Sequence, residues 1–187
     1  MNGWYSILSY YIAKLISDLP LLFICPTLLT TVAYFMTGQP LDLGRFLMFW
    51  GIAVLTSLLA QSVGLVFGSA FNLQTGIFLV PGICIPSLLF SGFFIRRREL
   101  SDFLEPMTDV SFFKYSLEGL VQSIYGYNRT GLECPLFCLI SSAEQLLSEM
   151  DMLGDLYGND IIAIACIILS LNVLFYISLV VNIRRAQ

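Results

Sequence analysis

The sequence predicts an all-α integral membrane protein with four transmembrane helices, and three observations carry that prediction. Apolar residues make up 57% of the 187 positions and charged residues only 12%, against roughly 45–50% and about 25% in soluble domains. A soluble domain of this size has too little interior to hide so much apolar surface, so lipid must cover part of it. Four uncharged-centred apolar stretches each reach the roughly 20 helical residues that a bilayer core of about 30 Å requires. The polar connections are unequal: two are short, and one long region, 96–159, holds most of the acidic residues.

Residues 1–17 read as a cytoplasmic or interfacial lead-in, with Trp4, Tyr5, Tyr10 and Tyr11 suited to the aromatic belt at a membrane surface. MNGWYSILSYY lacks the basic n-region and small-residue cleavage site of a secretory leader. It does not read as the natural beginning of a protein. The first predicted span is 18–36, followed by the short turn TGQPLDLGR. The second is 46–71, and NLQT turns the chain into the third, 76–95. Pro20, Pro26, Pro81 and Pro86 fall in or near these helices, which membranes tolerate when neighbours re-satisfy the freed carbonyls. The fourth span is 161–183. Four crossings place both chain ends on one side and the long region on the other.

Within that region, Pro106 separates a short piece from a one-faced helix carrying Phe113, Leu117, Leu120, Val121 and Ile124. The helix is too short and too charged to span. Two readings stand: a re-entrant helical pair at about 99–125 that dips into the outer leaflet, or a helix lying among the headgroups. Further on, Ser141-Ser142-Ala143-Glu144 spells a capping box before Leu146, Leu147, Met150 and Leu153, predicting a small helix. Its acidic neighbours Glu144, Glu149, Asp151 and Asp155 read as a solvated surface.

Orientation sets two rules against each other. Lys14, Arg184 and Arg185 share a side with the chain ends, whereas Arg45, Arg96, Arg97, Arg98, Lys114 and Arg129 lie opposite. Counting basic residues alone would put the long region in the cytoplasm, but that rule weakens for loops of about 60 residues. This loop is net acidic and carries the glycosylation sequon Asn128-Arg129-Thr130 and the close cysteines Cys134 and Cys138. Residues 96–159 are therefore placed outside and the chain ends in the cytoplasm.

Catalytic and nucleic-acid readings fail on composition. There is no histidine, which removes Ser-His-Asp and Cys-His sites and every His-bearing metal site. No P-loop, H-E-x-x-H or C-x-x-C occurs, and no calcium-loop spacing is present, so no catalytic residue and no metal site is assigned. Glu99 and Asp102 read as ordinary exposed charges. Nine Lys and Arg against 13 Asp and Glu, without a basic stripe, argue against nucleic acid.

Polar groups inside spans are costly unless paired, and so are informative. Lys14 and Asp18, four apart, can pair on one helix face, either as a structural ion pair or as a link to a cytoplasmic motor. Gln61, Ser62 and Asn172 can hydrogen-bond between helices, and Ala60, Gly64 and Gly68 form a small-xxx-small ladder for close packing or a dimer face. After Pro81 and Pro86 comes Ser91-Gly92-Phe93-Phe94. Two adjacent bulky rings there could close a hydrophobic passage, although core packing would look the same.

Met36 to Pro40 (MTGQP), Leu88 to Phe94 (LLFSGFF) and Tyr115 to Gly126 (YSLEGL…SIYG) occur in order, preceded by the Trp4–Lys14 lead-in and Asp18-Leu19-Pro20. Together they resemble, over essentially the whole chain, the membrane domain of G-subfamily ATP-binding-cassette half-transporters, in their white-like and sterol-exporting branch. The resemblance implies the last four of six membrane helices, a re-entrant pair in the outer loop, and work as a dimer with a second half-transporter. ATP and Mg²⁺ would belong to a nucleotide-binding domain outside these residues, so the chain alone is no enzyme. It implies coupling roles for Lys14 and Asp18, contact of Pro81, Ile85, Leu88 and Leu89 with an apolar substrate such as a sterol, and a plug at Phe93 and Phe94. A glycan on Asn128 and a disulfide involving Cys134 or Cys138 would fit the family's outer loop. Their four-residue spacing makes a mutual bridge demanding, and a bridge from one of them to the partner subunit is the alternative. The expected setting is multi-pass, in the plasma membrane or an endomembrane. Two alternatives stand beside lipid export: a non-transporting chain that dimerises with and regulates full-length half-transporters, and a pigment-precursor exporter.

Overall fold

The computed structural model describes residues 7–95, 103–127, 143–152, 154 and 156–186. Among them are seven helices: α1 (Ile7–Met36), α2 (Leu43–Ala70), α3 (Leu73–Leu89), α4 (Glu105–Val110), α5 (Phe112–Tyr125), α6 (Ala143–Glu149) and α7 (Tyr157–Ala186). No strand occurs among the described residues. Helices α1, α2 and α7 are long and apolar enough to cross a membrane. The chain is an integral membrane protein.

Local chemistry explains the long helices. Thr30 and Thr31 in α1 return their hydroxyls to the carbonyls of Pro26 and Thr27, each at 2.6 Å, so neither of these hydroxyls is left unpaired in lipid. Pro20 and Pro26 lie inside α1 without ending it. Asp42 starts α2 by accepting from the Gly44 N–H at 3.0 Å, in the usual N-cap manner. The turn before it is tied by the Tyr34 hydroxyl, which donates to the Pro40 carbonyl at 2.7 Å.

Two boundaries differ most from the sequence reading. Helix α1 begins at Ile7 rather than at residue 18, so most of the expected lead-in is already helical. Helix α3 stops at Leu89 rather than Ile95. Phe90 and Ser91 fold back onto the carbonyls of Pro86 and Leu88, and Gly92 takes φ +92°, a left-handed conformation that diverts the chain. At 17 residues α3 is about 25 Å long, short of the bilayer core.

Helix α2 is the hub. Ile52, Leu59 and Val63 of α2 and Ile164 of α7 form the buried core, joined by Phe112, Tyr115 and Leu120 of α5. The α4–α5 pair inserts beside α2 and meets the end of α3. Gly119 eases this approach: a Cβ there would lie 2.8 Å from Ile52 Cδ1, so a larger residue would have to displace the buried Ile52 side chain. Ile52 is nine residues into α2, about 13 Å from its start. Helix α5 turns Ser116, Glu118, Gly119, Gln122 and Ser123 inward and leaves its apolar face half-buried. Protein satisfies the polar face, and lipid can cover the other.

Candidate functional site

Three polar assemblies and one apolar helix end make up the candidate site. Toward the N-terminal part of α1, Lys14 Nζ lies 3.0 Å from Asp18 Oδ2. The same carboxylate oxygen accepts from Gln61 Nε2 at 2.8 Å, so the intrahelical pair is bonded to α2 as well. Asp18 is 18 residues, about 27 Å, from the far end of α1, a depth near one edge of the bilayer core. Asn172 of α7 donates to Ser62 Oγ of α2 at 3.2 Å, and Asn182 donates to the Ser69 carbonyl. Gln61, Ser62 and Asn172 therefore act between helices, as their side-chain chemistry suggested.

At the opposite end, Arg45 donates through Nη1 to the carbonyls of Ile124 and Gly126, each at 3.0 Å, and through Nη2 to that of Tyr127 at 3.2 Å. These include carbonyls at the end of α5 that lack intrahelical donors, and a cation there also suits the helix dipole. Gln122 holds the approach to α7: its Nε2 donates to the Gly154 carbonyl at 2.9 Å, and its Oε1 accepts from the Leu156 N–H at 3.1 Å. Tyr157 donates to the Met48 carbonyl at 2.9 Å. Ser111, between α4 and α5, donates to the Ser87 carbonyl at 2.6 Å and so caps the short α3. Sequence reasoning missed Arg45 and Gln122, because their partners lie 79 and 34 residues away. The detectable signal was a glutamine on the polar face of an amphipathic helix.

Between α5, α7 and the turn after α3 lies a chamber of about 250 Å³. Ser91, Thr108, Lys114, Glu118, Asn159 and Asp160 line its polar side. Asp160 and Glu118 are both buried, and the chamber carries no sequence motif. Asp151, read above as part of a solvated face, is partly buried against it.

Residues singled out on α3 are mostly on its surface. Ile85, Leu88 and Leu89 are exposed, as is Pro81, which borders a groove of about 420 Å³ with Gly64, Gly68 and Ile77. The Phe93 and Phe94 rings meet edge-to-face with centroids 5.0 Å apart, and each is about 60% exposed. This chain does not enclose the α3 residues by itself. Ala60, Gly64 and Gly68 are also exposed, and a Cβ at either glycine would meet nothing within 4 Å. Asn128, Cys134 and Cys138 lie outside the described residues. Cys25, Cys84 and Cys166 are free thiols. No group of three metal-ligating side chains occurs among the described residues.

Long apolar helices bound by interhelical polar contacts, with a helical pair packed against one end, define a multi-pass membrane domain. Residues 1–125 match the family described as ABC-2 type transporter, and the chain belongs to that family. It is 27% identical over 183 residues to Protein white of Ceratitis capitata, covering 96% of this chain and 27% of that protein. It is 30% identical over 181 residues to ABC transporter G family member 21 of Arabidopsis thaliana, covering 95% and 26%. With the ABC transporter ATP-binding protein/permease wht-1 of Caenorhabditis elegans it shares 24% over 190 residues, covering 97% and 28%. The chain thus spans about a quarter of the length of these white-like, G-family relatives.

Proposed function

We propose that this domain forms part of the exit route of an ATP-driven exporter of sterols, lipids or other apolar small molecules, working as a dimer. The observation that carries this reading is the end of α3 in a chain of this family. An apolar helix stops short of the bilayer thickness, is capped by the inserted α4–α5 pair, and presents two interlocked phenylalanine rings. Pro81, Ile85, Leu88 and Leu89, exposed here, would face substrate once a second half-transporter packs against them. Phe93 and Phe94 would close the passage at its outer end. ATP and Mg²⁺ would be held by a nucleotide-binding domain outside these residues, and Lys14, Asp18 and Gln61 would carry its motion from α1 into α2.

The reading places 96–159 outside the cell or in a lumen, with Asn128 glycosylated and Cys134 or Cys138 in a disulfide. A pigment precursor as cargo would change the substrate but not the route. The test is Phe93→Ala in the full-length protein. It should leak substrate or hydrolyse ATP without matching efflux; unchanged coupled efflux would remove the plug role.

The exposed Ala60, Gly64 and Gly68 ladder favours a second reading, regulation of full-length half-transporters through pairing on α2. Co-purification with a half-transporter, without any change in its efflux, would dispose of it.

A further inference from the structure

The chamber beside the phenylalanine turn is unused by the export reading, yet its chemistry is specific. Phe90, Ser91 and Gly92, which lead into Phe93 and Phe94, form one wall, and α4, α5, the turn after α6 and the start of α7 form the others. Its volume of about 250 Å³ lies below the roughly 300–1,000 Å³ of pockets that enclose drug-sized ligands. It has room for a head group, not for a whole lipid-like molecule. Asp160 is 3% exposed, and its Oδ2 is buried without a hydrogen-bond partner. A buried carboxyl oxygen without a partner is costly, and a hydrogen-bond donor that enters the chamber relieves that cost. Glu118, 7% exposed, adds a second acid to the same lining. The cation there, Lys114, has its Nζ 2.5 Å from Asp109 Oδ1, and that aspartate is half exposed. Its charge is thereby already paired with that carboxylate.

We propose that this chamber is a subsite for a small ammonium group, with Asp160 Oδ2 as its principal acceptor, so that the exported molecules include amphiphiles with a cationic amine head on an apolar body. An ammonium supplies both the missing hydrogen-bond donor and a compensating charge, and its alkyl carbon fits the apolar wall formed by Phe90 and Met152. The hydroxyls of Ser91 and Thr108, 1% and 4% exposed, border the same space. This substrate assignment rests on the export reading, but the binding site does not.

The full-length protein carrying this domain, reconstituted in phosphatidylcholine nanodiscs without ATP, is titrated with n-propylammonium and, separately, with 1-propanol, using saturation-transfer NMR. Propylammonium should bind saturably and the neutral alcohol should not. Asp160→Asn should weaken binding by about tenfold or more, the scale of one charge-assisted hydrogen bond. Asn159→Phe, at the exposed rim, should weaken it without altering the buried carboxyl, and decides the matter if Asp160→Asn does not fold. Asp42→Asn, in the distant cap of α2, should leave affinity unchanged. No saturable propylammonium binding, equal binding of propanol, or unchanged affinity in the chamber variants would overturn the subsite. Because no ATP is present, a failed Phe93→Ala test would leave this result standing, and the converse also holds.

Discussion

At Gly119 a single missing methyl sets how closely α5 approaches α2. Gly119→Ala forces a contact with Ile52 and should lower stability by about 1–3 kcal/mol, the usual cost of overpacking. Thermal unfolding in detergent measures the loss, and Ile52→Ala in the same chain should recover part of it by making space. Gln61 presents the opposite case. Its bond to Asp18 joins two helices, but interhelical hydrogen bonds in membranes average only about 0.6 kcal/mol. Gln61→Leu should therefore change the unfolding midpoint little. If Lys14, Asp18 and Gln61 transmit motion, the variant should still lower efflux per ATP hydrolysed in the full-length protein; an unchanged ratio would make the cluster purely structural. Lys14 and Asp18 were legible from their spacing alone. Gln61 was legible as a polar residue in a span, though its partner was not.

Among the elements, α5 depends most on side chains distant in sequence. Its inward face is small and polar, an inversion of the soluble pattern that makes sense only beside lipid. Arg45 binds three carbonyls at its C-terminal end. Arg45→Ala should cost roughly 1.5–3 kcal/mol for the lost charged hydrogen bonds. It should also speed amide exchange over residues 120–125, as read by mass spectrometry. Arg45→Lys should restore only part of the protection, since one ammonium cannot reproduce the guanidinium's fork. Equal exchange in all three proteins would show that α5 is held by its apolar packing instead. The early stop of α3 escaped sequence reasoning because Phe90 to Ile95 (FSGFFI) is apolar enough to continue a span. What ends the helix is the positive φ of Gly92 and the cap from Ser111, a residue 24 positions away from its acceptor.

For the whole molecule, α2 is the shared wall of two unequal parts: a packed side with α1, α5 and α7, and a sparsely covered side with α3. An apolar helix with Ile77, Phe78 and Ile85 exposed must be covered by lipid, by other helices or by a partner. The orientation in the membrane has its own test. Expressed in a glycosylating host, the protein should change mobility after glycosidase treatment, and Asn128→Gln should abolish the change. Protease cleavage of residues 126–159 from the cytosolic face of sealed vesicles would reverse the orientation and remove the proposed exit end.

The sequence by itself determined that the chain is helical and membrane-embedded, because hydropathy and span length are local properties that lipid reads directly. It also exposed the intrahelical Lys14–Asp18 pair, whose geometry follows from helical periodicity. Only the tertiary structure decided where α3 ends, which face of α5 turns inward, and that Glu118 and Asp160, 42 residues apart in the chain, line one chamber. Each of these depends on a group supplied by a distant helix, and no local pattern encodes that pairing.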